Sequence, residues 1–254
     1  MLFAEERSTE TAYTAVLSGQ RLYYRVMGQG PPLVLIHGYG TSGYVWQRVL
    51  PYLGRTHQLF VLDLPGYGRS TAPRSWQLRT VAPLIAEWLH TLQLPPVALM
   101  GHSMGGAIAI HLTAIAPAAV KQLILVNAAG LPLQAPLPDL VWRAARSAMQ
   151  LGNGRYPLEM LRDVAQPRFR VLWQTALEMQ HSDLRAELAS ITSPTLIIWG
   201  ERDLLLPLSL GRSLSSALPH ATLVTLPGCG HRPMLARPEQ FSQIVSEFLL
   251  LGNK

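Results

Sequence analysis

The pentapeptide Gly101-His102-Ser103-Met104-Gly105 stands between the apolar run Val97-Ala98-Leu99-Met100 and the small-residue run Gly105-Gly106-Ala107-Ile108-Ala109-Ile110. That order places a serine where a buried strand turns sharply into a helix. Glycines suit positions 101 and 105 because the turn is strained and crowded, and larger side chains there would strike the neighbouring strand or helix. The turn lifts the Ser103 hydroxyl above the sheet. It also aims the positive end of the helix at whatever that hydroxyl attacks.

The rest of the chain repeats this strand-then-helix rhythm. Tyr13 to Leu17 and Leu22 to Met27 flank Ser18-Gly19-Gln20 and read as an antiparallel hairpin. Further strands are predicted at Leu33 to Ile36, Leu59 to Leu62, Val97 to Met100, Leu123 to Val126, Leu196 to Trp199 and Thr222 to Val224. Helices are predicted at Tyr44 to Leu53, Leu78 to Leu92, Ser103 to Ala116, Leu208 to Leu218 and Gln240 to Leu250. Alternation of this kind specifies an α/β fold with a mostly parallel sheet of eight strands, covered by helices on both faces. The rhythm breaks once, between Ala129 and Pro194, where helical stretches such as Leu140 to Met149 and Phe169 to Met179 follow a Pro-rich connector. The expected organisation is a discontinuous core, 1–130 and 191–254, with a small helical cap, 131–190, inserted after the sixth strand. Open α/β sheets bind ligands at the carboxyl ends of their strands, so such an insertion would roof the site.

Composition narrows the class. Hydrophobic residues make up 48% of the 254 and charged residues 14%, which supplies a large core and argues against disorder. The stretch from Thr91 to Pro138 carries Lys121 as its only charge, yet Pro95-Pro96, Gly101, Gly105-Gly106, Pro117 and Asn127 interrupt it. No unbroken apolar run of about twenty residues remains, so no membrane span is expected. The net charge of +6 comes from scattered arginines without a basic run or interleaved aromatics, which argues against nucleic acid as a partner. The single cysteine, Cys229, leaves no disulfide framework and no cysteine cluster for a metal. The start has no basic segment leading an apolar run, and a cytoplasmic protein, monomer or homodimer, is expected.

A serine hydroxyl needs a base to become a nucleophile, and the base needs a carboxylate to orient it. Asp203 lies just past the seventh predicted strand, in Trp199-Gly200-Glu201-Arg202-Asp203. His231 lies past the eighth, in Pro227-Gly228-Cys229-Gly230-His231. The alternative for Asp203 is a cap on the following helix. Asp63 is a rival acid, but it precedes the serine. His220 comes before its strand and so faces the wrong end of the sheet. His57, His90, His111 and His181 read as surface or core residues, and no spacing suggests a metal site.

These motifs, with His37-Gly38-Tyr39-Gly40 after the third strand and Asp63-Leu64-Pro65-Gly66-Tyr67-Gly68-Arg69-Ser70 after the fourth, make the chain resemble an α/β-hydrolase over nearly its whole length. The resemblance implies Ser103 as nucleophile, His231 as general base and then acid, and Asp203 as the residue that orients the imidazole. It implies an oxyanion hole at the backbone N–H groups of Tyr39 and Met104, positional roles for His37 and His102, a structural role for the Asp63 loop, and no cofactor. A serine at the turn excludes the family's branches that use aspartate there, the epoxide hydrolases and haloalkane dehalogenases.

The expected activity is hydrolysis of carboxylic esters of small to medium apolar substrates through an acyl-enzyme on Ser103. The alternatives are a carbon–carbon bond hydrolase of meta-cleavage-type vinylogous diketones and, more remotely, a small-molecule sensor on the same fold. Tyr44, Trp46, Trp142, Met149, Phe169 and Trp173 (with Tyr156) are candidates to line an apolar pocket; the competing reading is that they pack the cap onto the core.

Overall fold

Strands that are apolar on both faces require helices on both sides of the sheet, and the computed structural model has that architecture. It describes residues 10–132, Asp139, Trp142, Arg143, Arg146 and residues 169–251. The strands are β1 (Thr11–Leu17), β2 (Gln20–Met27), β3 (Pro32–Ile36), β4 (Gln58–Leu62), β5 (Val97–His102), β6 (Val120–Val126), β7 (Thr195–Gly200) and β8 (Ala221–Leu226). They form one sheet in the order β1-β2-β4-β3-β5-β6-β7-β8. β1 and β2 make the predicted hairpin, turning through Ser18 and Gly19, both at positive φ. β2 also runs antiparallel to β4, and the remaining pairs are parallel. β4 lies on one side of β3 and β5 on the other, so the order reverses there and opens a crevice at the carboxyl ends.

Helices α2 (Leu78–Thr91) and α3 (Met104–Ile115) cover one face, where Val34, Ile36, Leu99, Ile197 and Trp199 point. A 3-10 turn (Gly43–Trp46), α1 (Leu50–Leu53) and α8 (Pro238–Leu251) cover the other, meeting Leu33, Leu35, Met100, Leu196 and Ile198. Each of these strand side chains is almost wholly buried, at roughly 1.5–3 kcal/mol apiece relative to exposure. The remaining described helices are α4 (Phe169–His181), α5 (Arg185–Ser190), α6 (Leu208–Ala217) and α7 (Pro233–Ala236). None of them is long and apolar enough to cross a membrane.

One predicted helix is corrected. Tyr44 to Leu53 is not continuous: the 3-10 turn ends at Trp46 and α1 starts at Leu50. Pro51 is the reason. It has no N–H to donate, and inside a helix its ring would press on the carbonyl of Gln47, so the chain restarts with Pro51 in the first turn of α1. α5 and α7 were not foreseen; both are too short to show a helical period.

Helix α4 is fastened to the segment that follows β4. The Arg170 guanidinium donates to the Pro73 carbonyl at 2.9 Å, and Gln174 and Glu178 accept from the N–H groups of Trp76 and Leu78, each at 3.1 Å. α3 runs through the core beside β3. A methyl group at Gly105 would be driven into the carbonyl oxygens of Ile36 and His37. Gly105→Ala is therefore expected to lower the unfolding free energy by about 2–4 kcal/mol, seen as a lower denaturant midpoint at unchanged slope. A loss below about 0.5 kcal/mol, the range of ordinary surface substitutions, would contradict this packing.

Candidate active site

Ser103 is the first residue after β5 and sits at φ +54, ψ −119, a conformation that costs of order 1–3 kcal/mol in a non-glycine residue. Its backbone is fully engaged. The N–H donates to Val126 O at 3.0 Å, while its carbonyl accepts from Gly106 and Ala129 at 2.9 and 3.0 Å. Met104 opens α3, so its N–H has no acceptor within the helix.

The loop after β3 approaches this turn closely: a Cβ at Gly38 would lie 3.0 Å from Ser103 Cβ. Two clasps hold the loop there. His37, fully buried, donates from Nδ1 to Gly38 O at 2.8 Å and accepts the Leu64 N–H at Nε2 at 3.0 Å. Burial pulls its pKa down against the pull of the Asp63 charge and the Gly38 carbonyl, so the ring is neutral, as the Leu64 bond requires. Asp63 forms the second clasp. Its Oδ1 accepts the Gly43 N–H at 2.8 Å, its Oδ2 the Arg69 N–H at 2.9 Å, and its carbonyl the Ser70 hydroxyl at 2.6 Å. The rival acid thus has both oxygens committed to the backbone. Tyr39 lies on the clasped loop, 42% exposed as a residue, and burial raises the pKa of its phenol.

Asp203 and His231 meet on the other side of the Ser103 turn. His231 Nδ1–H donates to Asp203 Oδ2 at 2.7 Å, and both side chains are essentially excluded from water. Asp203 Oδ1 accepts the N–H groups of Leu205 and Leu206 at 2.8 and 3.0 Å, and neither residue belongs to α6. The carboxylate therefore closes its own turn instead of capping the next helix. Burial alone would push the Asp203 carboxyl up; the His231 charge and the hydrogen bonds of His231, Leu206 and Asn127 outweigh it and hold the carboxyl below its usual value.

His102 ties the two sides together. Its Nε2–H donates to the His231 carbonyl at 2.9 Å, and the two ring centroids are 4.9 Å apart. Burial, then the charges of His231 and Arg232, hold His102 well below the ordinary imidazole range, so this ring is neutral too.

One polar residue of the site was missed by sequence reasoning. Asn127, the first residue after β6, is wholly buried, donates from Nδ2 to Asp203 Oδ2 at 2.6 Å and accepts the Gly200 N–H at 3.1 Å. In the sequence it reads only as the break that ends an apolar strand.

The candidate pocket residues scatter. Trp46 is fully buried in the core and faces His102 edge-on, with centroids 6.3 Å apart, so it supports the site from below and lines no opening. Tyr44 is half-buried against the same core layer. Trp142, Phe169 and Trp173 are 57%, 81% and 50% exposed, and the Arg146 guanidinium stacks on Trp142 at 4.7 Å. None of the three belongs to the buried core clusters of the described residues. Met149 and Tyr156 lie outside the described residues. Cys229 is a buried free thiol whose pKa burial raises. No group of three or more metal-ligating side chains occurs among the described residues.

Comparison with known proteins bears on this arrangement. Residues 33–244 match the profile of the Alpha/beta hydrolase family. The chain is 31% identical to a pimeloyl-[acyl-carrier protein] methyl ester esterase of Yersinia enterocolitica, over 92% of this chain and 99% of that one. It is 32% identical to the protein of the same description from Nitrosomonas europaea, over 87% and 96%. Among solved structures, a bacterial membrane phospholipase A superposes with a TM-score of 0.85 at 28% identity, covering 96% of this chain and 87% of that one.

The two buried aspartates separate by experiment. Asp63→Asn keeps one accepting oxygen and sets an NH₂ donor against the other backbone N–H, and is expected to cost about 2–3 kcal/mol of stability. For Asp203 the sign follows from its lowered pKa. The carboxylate adds stability that is complete above its unfolded value and is lost as pH falls through the lower folded value. Asp203→Asn should therefore be less stable than the parent at pH 7, with the gap narrowing below about pH 4 in urea titrations. A gap independent of pH would contradict an ionised, bonded Asp203.

Proposed function

Because the chain belongs to the alpha/beta hydrolase family, we propose that it is a serine esterase that works through Ser103, His231 and Asp203. The observation that carries this reading is the 2.7 Å hydrogen bond from His231 to a buried carboxylate, in a loop that His102 ties to the strained Ser103 turn. The remote relatives' shared description as esterases, over nearly the full length of both chains, supports it.

In the proposed reaction His231 Nε2 takes the proton of the Ser103 hydroxyl as the oxygen attacks the ester carbonyl. The negative charge formed on the carbonyl oxygen is met by the N–H groups of Tyr39 and Met104. The loop carrying Tyr39 is clasped in advance by His37 and Asp63, so little reorganisation accompanies charge development; losing one such donor typically costs about 10²–10³ in rate. The tetrahedral intermediate collapses with transfer of the proton from His231 to the departing alcohol, leaving an acyl group on Ser103. Water, deprotonated by His231, then attacks the acyl carbon, and Ser103 leaves with the proton. Asp203 holds the ring so that Nδ1 keeps its proton and Nε2 faces the serine, and it stabilises the imidazolium formed in each half-reaction.

We take the substrate to be a methyl ester on an apolar acyl chain of moderate length, following the description of the relatives, with segment 131–190 as the cap that selects it. A fluorophosphonate is expected to label Ser103 and to leave Ser103→Ala unlabelled. The same variant should lose about 10⁴–10⁶ in kcat on p-nitrophenyl esters. In a panel from acetate to palmitate, run beside a pimeloyl thioester methyl ester and a vinylogous diketone, hydrolysis is expected of the esters and not of the diketone. Unchanged labelling of Ser103→Ala would remove the nucleophile from the reading. Diketone cleavage outrunning ester cleavage would favour the carbon–carbon hydrolase.

A further inference from the structure

The Asp203 oxygen that meets His231 is shared. His231 Nδ1 and Asn127 Nδ2 approach the same Oδ2, at 2.7 and 2.6 Å, while Oδ1 is taken by two backbone N–H groups. The orientation of the Asn127 amide is fixed from both ends, since its oxygen accepts the Gly200 N–H and leaves the NH₂ facing the carboxylate. The backbone at Asn127 is at φ +40, a region that asparagine enters more readily than most residues. Its N–H donates to Ile198 O at 2.9 Å, which holds it in line with β7. Shape, charge and backbone all select asparagine at this place.

We propose that Asn127 is a positioning residue for the esterase reaction, setting both the direction of the Asp203 carboxylate and the strength with which it holds His231. The inference rests on the reading of Ser103, Asp203 and His231 as the catalytic set. Its physical basis is competition for one oxygen. An amide donor on Oδ2 disperses part of the negative charge that would otherwise act on the imidazole, and it prevents the carboxylate from rotating about its Cβ–Cγ bond. The other ionisable groups around His231 are His102 beneath the ring, neutral and bonded to the His231 carbonyl, and Arg232 beside it in the chain. Asn127 bonds the same Asp203 oxygen that His231 bonds, so its amide is placed to moderate that carboxylate.

Two variants remove the amide in different ways. Asn127→Gly keeps the positive φ without strain and deletes the donor. Asn127→Asp keeps the shape and sets a second carboxyl against the first. Both are expected to lower kcat about 10- to 100-fold with a smaller change in KM, the effect of one lost hydrogen bond to a charged group. Both should also move the acid limb of kcat/KM to higher pH, because the imidazolium then faces a less neutralised carboxylate; the shift in Asn127→Asp should be the larger, about one unit. A residue that merely filled space would change stability and leave the acid limb in place.

The parent protein provides a test that needs neither folding of a variant nor a substrate. With asparagine side chains labelled by ¹⁵N, the Asn127 Nδ2–H resonances are expected to shift with the same midpoint as the imidazole resonances of His231. Failure of the reading itself would show separately, as an absence of fluorophosphonate labelling at Ser103. Amide resonances that ignore the His231 titration, or folded variants with unchanged kcat and acid limb, overturn the proposal.

Discussion

A carboxylate inside a protein is tolerable when its charge is met by well-placed donors, and at Asp203 four N–H groups meet it. They come from the end of β6, from the loop after β7 and from the loop after β8. Three stretches of chain, at 127, 203–206 and 231, are thus brought to one point by a single side chain. Removing any one donor leaves a buried charge less satisfied, which makes the convergence stiff. His231 is then held a second time, at its carbonyl, by the neutral His102.

The opposite side of the Ser103 turn uses the same physics for another end. Asp63 is also buried and also ringed by donors, but the donors are backbone N–H groups of Gly43 and Arg69, so its carboxylate fixes loops. The partners decide the difference between the two aspartates; residue type does not. His37 and His102 form a similar pair. Each is neutral through burial, and each uses one ring nitrogen to pin a loop that carries a proposed functional atom, the Tyr39 N–H for one and the His231 ring for the other. The serine lies between two prearranged halves.

The strands were legible because burial on both faces forces apolar runs, as in Leu33 to Ile36, and Gly or Pro marks where each run stops. The order of Ser103, Asp203 and His231 was legible because each follows a strand at the same end of a parallel sheet. Asn127 was not, since a polar residue closing an apolar run looks the same whether it faces water or a carboxylate. The broken helix at Gln47 to Leu50 turned on Pro51, whose effect depends on whether the chain has already left a helix. The burial of individual aromatic residues was not legible for a related reason. Helical spacing tells which residues share a face and says nothing of what that face meets, so Trp46 belongs to the core and Phe169 to the surface.

The two strained positions of the site explain one another. Ser103 and Asn127 follow directly on His102 and Val126, which are paired in adjacent parallel strands, and both take positive φ. Each conformation costs of order 1–3 kcal/mol, and each persists because a strand-end hydrogen bond fixes it, Ser103 N–H to Val126 O and Asn127 N–H to Ile198 O. In an ordinary strand end the chain would continue outward and both side chains would diverge into the loops. The bend at 103 lets α3 start directly after β5, and the bend at 127 carries an amide sideways to the carboxylate of β7's loop. The strain is sustained by the sheet between them, where β3, β5, β6 and β7 bury nearly every side chain. A core of that size offsets a few kcal/mol of distortion at its rim, and the rim is where the proposed chemistry requires directions that relaxed backbone does not supply.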